Sequence, residues 1–380
     1  MRLNHEMEKY ILGCQTELKQ LIRDLCAIPA PSHHEGRRAE FCQAWFREHC
    51  GAEAYIDEAL NAICPWSDSG SNNLIVCMAH TDTVFPDMEP LPFSEEGGKM
   101  YCPGVTDDTA NLAVLMICAR YVMQHMQPGN TGFLFVANSC EEGLGNLKGT
   151  RSIFSRYGSR IRELITLDGT DLRAIVTDAV GSHRYRVSVR TEGGHSFGDF
   201  GKQNAIHSLS SLISALYAIP VPVEGNSKTT YNVGMISGGT SVNTIAQQAE
   251  MLYEYRSDNL SCMKKMEDIF HYTIDIFRKA GTDIEVERIG ERPCSDISAS
   301  AAQKALVERA CAAIREVLKQ EAVCSSGSTD ANIPLSLGIP AICISACNGA
   351  KCHTREEWLD VGSLPDGCRL FMEILAGYLK

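Results

Sequence analysis

The chain has 380 residues, 44% of them hydrophobic, and its 35 Lys and Arg against 47 Asp and Glu leave a net charge of −12. That length allows two or three domains around a sizeable core, and the acidic balance without any basic block argues against binding to nucleic acid or anionic membranes. No run of about eighteen apolar residues is free of charge, which argues against a membrane span.

The opening string, M-R-L-N-H-E-M-E-K-Y, lacks the apolar core of a signal peptide and reads as the start of a helix over about residues 7–27. Pro29-Ala30-Pro31-Ser32 breaks it, and a second helix is expected over 36–50. Strands and helices then alternate through Asp168, an α/β pattern. The apolar runs 74–79, 133–137 and 164–167 read as strands buried on both faces, and a helix is expected from Thr109 to about Met126. Near Gly181 the character changes. Residues 183–191 alternate, with Tyr185, Val187 and Val189 on one side. A helix over 204–218, strands over 230–236 and 249–256, a helix over 261–280 and a strand over 283–289 follow. This β-α-β-β-α-β order is that of a ferredoxin-like unit, read as an inserted lid or dimerisation domain over 181–292. Residues 1–180 and 293–380 then form one discontinuous catalytic α/β domain, with a helix over about 298–319 and a strand over 341–344.

Seventeen cysteines without a repeating C-x-x-C spacing, and without a signal sequence, read as reduced thiols in a cytoplasmic protein. Cys77, Cys118 and Cys343 lie in apolar runs as small hydrophobes. Cys140 and Cys352, beside candidate site residues, read as packing residues.

Five candidate metal ligands follow the apolar runs: His80 in M-A-H-T-D-T, Asp107 in G-V-T-D-D-T, Glu142 in N-S-C-E-E-G, Asp168 in L-D-G-T and His353 in K-C-H-T-R-E-E-W. Asp82 and Glu141 accompany them. Taken singly, each has a plainer reading. His80 and His353 could be loop residues, Asp107-Asp108 a helix N-cap, Glu141-Glu142 a solvated pair and Asp168-Gly169 a turn. The conjunction is what counts, because open α/β sheets gather ligands outside the carboxyl ends of their strands. Two histidines and three carboxylates suit two divalent metals: four positive charges meet three negative ones, and a bridging hydroxide balances the rest. In His80-x-Asp82 both side chains point to one side of a strand, so the carboxylate can orient the imidazole.

From about Leu21 to the C-terminus the chain resembles the two-metal aminopeptidase and deacylase superfamily of peptidase T, dipeptidase V, glutamate carboxypeptidase, aminoacylase and succinyl-diaminopimelate desuccinylase. The resemblance rests on A-H-T-D-T-V-F-P, T-D-D-T-A-N-L-A-V, S-C-E-E-G-L-G-N-L-K-G, G-G-H-S-F-G-D-F-G-K-Q-N-A-I, G-G-T-S-V-N-T-I-A and S-T-D-A-N-I-P-L-S-L-G-I-P-A. It implies that His80 and Asp168 hold one metal, Glu142 and His353 the other, and that Asp107 bridges them through a cis Asp107–Asp108 peptide. Asp82 would support His80, and Glu141 would be the general base. His195, Asn243 and Arg256 would contact substrate from the lid, and paired lids in a homodimer would carry His195 to the partner's site. Relatives often have Lys or a second Gly where this chain has Thr109-Ala110-Asn111, and a more glycine-rich loop than S-A-C-N-G-A-K-C-H-T. Both differences bear on pocket shape and substrate.

The expected function is a cytoplasmic, two-metal amide hydrolase acting on small peptides. Zinc suits the donors, and cobalt or manganese would fit them as well. Glu141 would move the proton, His195 would stabilise the oxyanion, and Asn243 with Arg256 would recognise a substrate carboxylate. Asp at 168 resembles the aminopeptidase and dipeptidase branches. The alternatives are an N-acyl amino acid deacylase and a catalytically silent metal-binding assembly protein; Glu141 beside a complete ligand set argues against the latter.

Overall fold

The computed structural model describes residues 4–68, 70, 72–295 and 300–379. The chain divides into two compact units, Met1–Ala179 with Ile297–Lys380, and Val180–Asp296.

In the first unit, an eight-stranded sheet runs in the order Tyr55–Ile56, Ala62–Trp66, Gly132–Asn138, Leu74–His80, Ile161–Leu167, Ala341–Ile344, Ala174–Ala179, Val323–Gly327. The four middle strands Gly132–Asn138, Leu74–His80, Ile161–Leu167 and Ala341–Ile344 are parallel. Leu74–His80 and Gly132–Asn138 are buried along their whole length, as strands covered on both faces must be. Alternation sends their side chains to opposite faces. Ile75, Cys77, Ala79, Phe133 and Phe135 enter one core, while Leu74, Val76, Met78, Leu134 and Val136 enter another. The first core is filled by Asn111–His125 and Leu364–Ala376, through residues such as Leu115, Ile117, Phe371 and Ile374.

Three helices of the first unit differ from expectation. The first helix is two, His5–Gly13 and Gln15–Cys26. Cys14 between them leaves helical geometry (φ −90°, ψ 0°), after a glycine of low helix propensity. The helix expected from Thr109 begins as Asn111–His125, after a wide turn over Val105–Ala110 in which Asp107 and Asp108 are not helical. Asp107 and Asp108 therefore do not cap it. The helix expected over 298–319 is described as Ala301–Leu318, capped by Ser300; residues 298 and 299 lie outside the described residues.

In the second unit, four antiparallel strands run in the order Thr229–Gly238, Gln248–Ser257, Gly181–Arg190, Asp283–Arg292. Helices Ala205–Ala218 and Leu260–Lys279 complete the ferredoxin-like βαββαβ arrangement. Tyr185, Val187 and Val189 face its core with Leu209, Leu212, Tyr253 and Phe270.

Candidate active site

Parallel strands bring their carboxyl ends to one edge, and the polar residues follow from that. His80 closes its strand opposite Asn138, and Glu141 and Glu142 lie just beyond Asn138. Asp168 directly follows Leu167, its N–H donating to the Ile344 carbonyl at 2.8 Å. His353 arrives from the returning segment. The backbone is constrained around these groups, since Cys140, Lys351 and His353 all have positive φ (56°, 64° and 63°). Non-glycine residues hold that conformation at a cost, and they cluster at functional sites. The Asp107–Asp108 peptide is cis.

Asp107 is the hub. His80 Nε2 lies 3.0 Å from its Oδ1, and His353 Nε2 lies 3.0 Å from its Oδ2 and 3.2 Å from Glu142 Oε1. Two groups that could each hold a metal ion share it: His80, Asp107 and Asp168, and Asp107, Glu142 and His353. A third such group joins His80 to Glu141 and Glu142. Glu141 is buried against this cluster.

The residues behind the hub explain its shape. Asp82 is fully buried and accepts the main-chain N–H groups of Glu141 (2.9 Å) and Glu142 (3.0 Å), as well as the Ser32 hydroxyl (2.6 Å). Its carboxylate stands 3.4 Å from His80 Nδ1, whereas its main-chain oxygen is at 3.0 Å. Asp82 thus orients the imidazole chiefly through its backbone and holds the glutamate pair through its side chain. Asp108 accepts the His80 N–H at 2.8 Å. Glycine is required at 145, because a Cβ there would lie 2.7 Å from the Cys140 carbonyl oxygen. Cys140 is buried and touches Glu35 Oε1 at 3.1 Å, a packing role.

Several site-supporting residues escape the sequence reading. Asn111 and Glu357, both buried, hydrogen-bond to the Thr106 main chain. The buried Arg38 guanidinium donates to the carbonyls of Thr81, Leu25 and Ile28 beneath the His80 strand end. Asp330 accepts from Asn138 Nδ2 at 2.6 Å and from Thr150. Asn111, Asp330 and Glu357 stand inside the quoted strings without being singled out there, and most of the partners of these four residues are main-chain atoms.

The electrostatics fit a cation. Burial pushes Asp168 and Asp108 well above the usual carboxylate range, with the charge of Asp107 adding to both. Burial lifts Glu142 to about 7, helped by Asp107 and Glu141 and opposed by His353. Burial and then Glu141 lift Asp330 to about 7. Burial also opposes ionisation of Asp107, but hydrogen bonds from His353 and His80 outweigh it and hold its carboxyl low. Those hydrogen bonds require protons on the imidazoles: contacts to Asp107 and Glu142 raise His353 to about 10. Burial disfavours protonated His80, yet Asp108, Asp107 and Asp82 hold it well above its ordinary value. His80 Nδ1 faces only acceptors, so it keeps its hydrogen. In the neutral ring, the Nε2 lone pair then points at a carboxylate oxygen. Two lone pairs aimed at each other need a proton or a metal between them. Two zinc ligands at about 2.0–2.1 Å from the ion stand roughly 3.3 Å apart in a tetrahedral site, close to the 3.0–3.2 Å seen here. The donors therefore fit divalent ions.

In the second unit, His195 and Asn243 share one loop cluster. Gly194 and His195 pair with Ile245 and Thr244, and Ser196 N–H donates to the Asn243 carbonyl at 3.0 Å. The N–H groups of Phe197 and Gly198 donate to His195 Nδ1, each at 3.2 Å, so its Nε2 carries the hydrogen and is the donor. Arg256 is elsewhere. It lies 256 − 248 = 8 residues along the strand that begins at Gln248, next to the cluster, which is roughly 27 Å at about 3.4 Å per residue. Its guanidinium is engaged by Glu254 at 3.0 and 3.1 Å. The three lid candidates are thus not brought together within one chain's second unit.

A family profile described as peptidase family M20/M25/M40 matches residues 76–377. The chain belongs to that family. Membership makes it an enzyme, a metal-dependent hydrolase of the peptidase type, as the ligand strings imply. Within the M20 family, it is 23% identical to a succinyl-diaminopimelate desuccinylase of Corynebacterium glutamicum, over 96% of this chain and 97% of that one. The fold is similar to that of the aminopeptidase PepT of Bacillus cereus, with TM-score 0.74 and 21% identity over 96% and 98% of the two chains. It is also similar to a dinuclear metal-binding M20 peptidase of Bacillus subtilis, with TM-score 0.66 and 17% identity over 95% and 97%. Among the described residues no helix is long and apolar enough to cross a membrane.

Proposed function

We propose that this M20 enzyme hydrolyses the amide bond of small peptides, di- or tripeptides with a free α-amine. Two divalent ions, zinc in the first instance and cobalt or manganese as substitutes, would be held by His80, Asp107 and Asp168 on one side and by Asp107, Glu142 and His353 on the other. The observation that carries the reading is the pair of ligand triads sharing Asp107, with buried Glu141 beside them. Bound divalent ions would polarise the scissile carbonyl and make water acidic enough to be used at neutral pH. Glu141 takes the proton of the attacking water and returns it to the leaving amine. Asp82 holds Glu141 and His80 in register. His195 offers its Nε2 hydrogen to the developing oxyanion, and Asn243 and Arg256 bind the peptide carboxylate.

The roughly 27 Å between Arg256 and the His195 cluster supports a homodimer. A single small peptide cannot touch both ends of one strand, so His195 and Asn243 would come from the partner copy. Thr229–Gly238 is an edge strand with exposed Met235 and Ile236, a surface suited to pairing. Seventeen free cysteines suit a reducing compartment, and we assign the enzyme to the cytoplasm. Nucleic acid and membrane are not among its proposed partners.

A second reading, N-acyl amino acid deacylase, is favoured by the likeness to the desuccinylase. The deciding experiment gives zinc- or cobalt-loaded enzyme a panel of di- and tripeptides and N-acyl amino acids. Turnover that needs a free α-amine supports the peptidase, and turnover only of blocked amines supports the deacylase. No turnover at full metal loading would overturn both.

A further inference from the structure

One fully buried carboxylate outside the ligand set grips the segment that carries the shared ligand. Glu357 Oε1 accepts the N–H of Thr106 (2.8 Å), the Thr106 hydroxyl (2.6 Å) and the N–H of Asp107 (3.0 Å), and Oε2 accepts the N–H of Gly104 (2.8 Å). Glu357 thus receives four hydrogen bonds, three on Oε1 and one on Oε2, and all of them come from the 104–107 segment. Its partner segment is packed hard against the same returning stretch. A Cβ at Gly349 would come within 2.4 Å of Thr106 Cγ2. The stretch bearing His353 therefore holds the main chain of Asp107 directly, as well as meeting its carboxylate. On the other side stands Asn111. Its Nδ2 donates to the Thr106 carbonyl (3.1 Å) and to the Gly169 carbonyl next to Asp168 (3.0 Å), and its Oδ1 accepts the Ala346 N–H (2.7 Å).

We propose that Glu357 is a positioning residue for the metal pair, and that it sets the spacing between Asp107 and His353. It thereby governs occupancy of the Asp107–Glu142–His353 position, while Asn111 governs the His80–Asp107–Asp168 position. This rests on the dinuclear reading above. Groups that orient metal ligands characteristically change metal affinity about 10–100-fold when altered. Glu357→Gln keeps three acceptor contacts on one oxygen but sets an amide donor against the Gly104 N–H. Glu357→Asp is too short to reach both sides.

The test titrates metal-free, full-length protein with Zn²⁺ against a competing chelator and counts bound zinc by mass spectrometry. Wild type, Glu357→Gln, Glu357→Asp, Asn111→Ala and His353→Ala are compared, with thermal unfolding of each metal-free form. His353→Ala identifies which binding step belongs to its position. The expected result is a loss of about 10–100-fold that falls mainly on that step for Glu357→Gln, a larger loss for Glu357→Asp, and a loss mainly in the other step for Asn111→Ala. Unchanged zinc steps in a folded Glu357→Gln would overturn the proposal. So would equal weakening of both steps with a lower metal-free melting temperature, which marks a general structural role. Wild type that binds fewer than two zinc ions sinks the dinuclear reading itself, a separate outcome.

Discussion

His353 Nε2 stands 3.0 Å from Asp107 Oδ2, although the whole Val180–Asp296 unit lies between the two residues in sequence. Asp107 meets His80 through its other oxygen, so one carboxylate serves both halves of the site. Substituting Asp107 should therefore differ in kind from substituting His353. Asp107→Asn is expected to remove tight binding of both metals and His353→Ala of only one, read by bound-metal stoichiometry after dialysis. Equal stoichiometries in the two variants would show that Asp107 is not shared.

Glu141 and Glu142 are neighbours held by the same carboxylate, Asp82, and Glu142 Oε1 lies 3.2 Å from His353 Nε2. Glu141→Gln is expected to keep its metals and lose turnover by at least about 10²-fold, the scale of a positioned acid or base. Glu142→Gln should lose metal first. Near-normal turnover by Glu141→Gln would reject its role as the base.

The metal-free protein should grow less stable as pH rises. Burial raises Glu142 from 4.5 and Asp330 from 3.8, each to about 7. Between those limits the folded state holds protons that the unfolded chain has released, so stability falls with pH. His353, raised from 6.5 to about 10 by Asp107 and Glu142, has the same sign: its contribution is complete below about 6.5 and is lost towards 10. Melting temperatures of chelator-treated enzyme should fall from pH 5 to pH 9, and metal should relieve much of the fall above pH 7. A metal-free protein that becomes more stable across that range contradicts the charge arrangement.

Gly145 gives a stability test of the glutamate loop. A methyl there meets the Cys140 main chain at 2.7–2.8 Å, whereas one at Gly36 meets nothing within 4 Å. Gly145→Ala is expected to cost about 1–3 kcal/mol, as overpacking does, and to lower activity by moving Glu141. Gly36→Ala should be close to neutral in the same denaturation experiment.

Mixing His195→Ala with Glu141→Gln tests the partner arrangement. If His195 serves the other copy, a mixed dimer has one site with both residues intact and activity returns. Failure to recover after verified subunit exchange would leave His195 in its own chain's site or outside catalysis.

Much of this was readable because burial leaves a pattern in sequence. The strands ending at His80 and Asn138 are continuous apolar runs, and the alternation of Tyr185, Val187 and Val189 marks the sheet of the second unit. The residues that tune the site left no such mark. Glu357, Asn111 and Arg38 mostly bind main-chain atoms of distant segments, and any residue type supplies an N–H or a carbonyl. Taken alone, Asp107-Asp108 reads as a cap, because acids before an apolar helix usually are; only its conjunction with the histidine strings points to the site, where His80 and His353 contact these side chains.

Ala341–Ile344 lies between Ile161–Leu167 and Ala174–Ala179 in the middle of the sheet, and it is made late. A chain emerging from the ribosome has both neighbours long before the strand that joins them, so each keeps an open, apolar edge through synthesis of the entire second unit. Such edges recruit other chains. The enzyme's most exposed moment is therefore during translation, before residues 341–344 have been made.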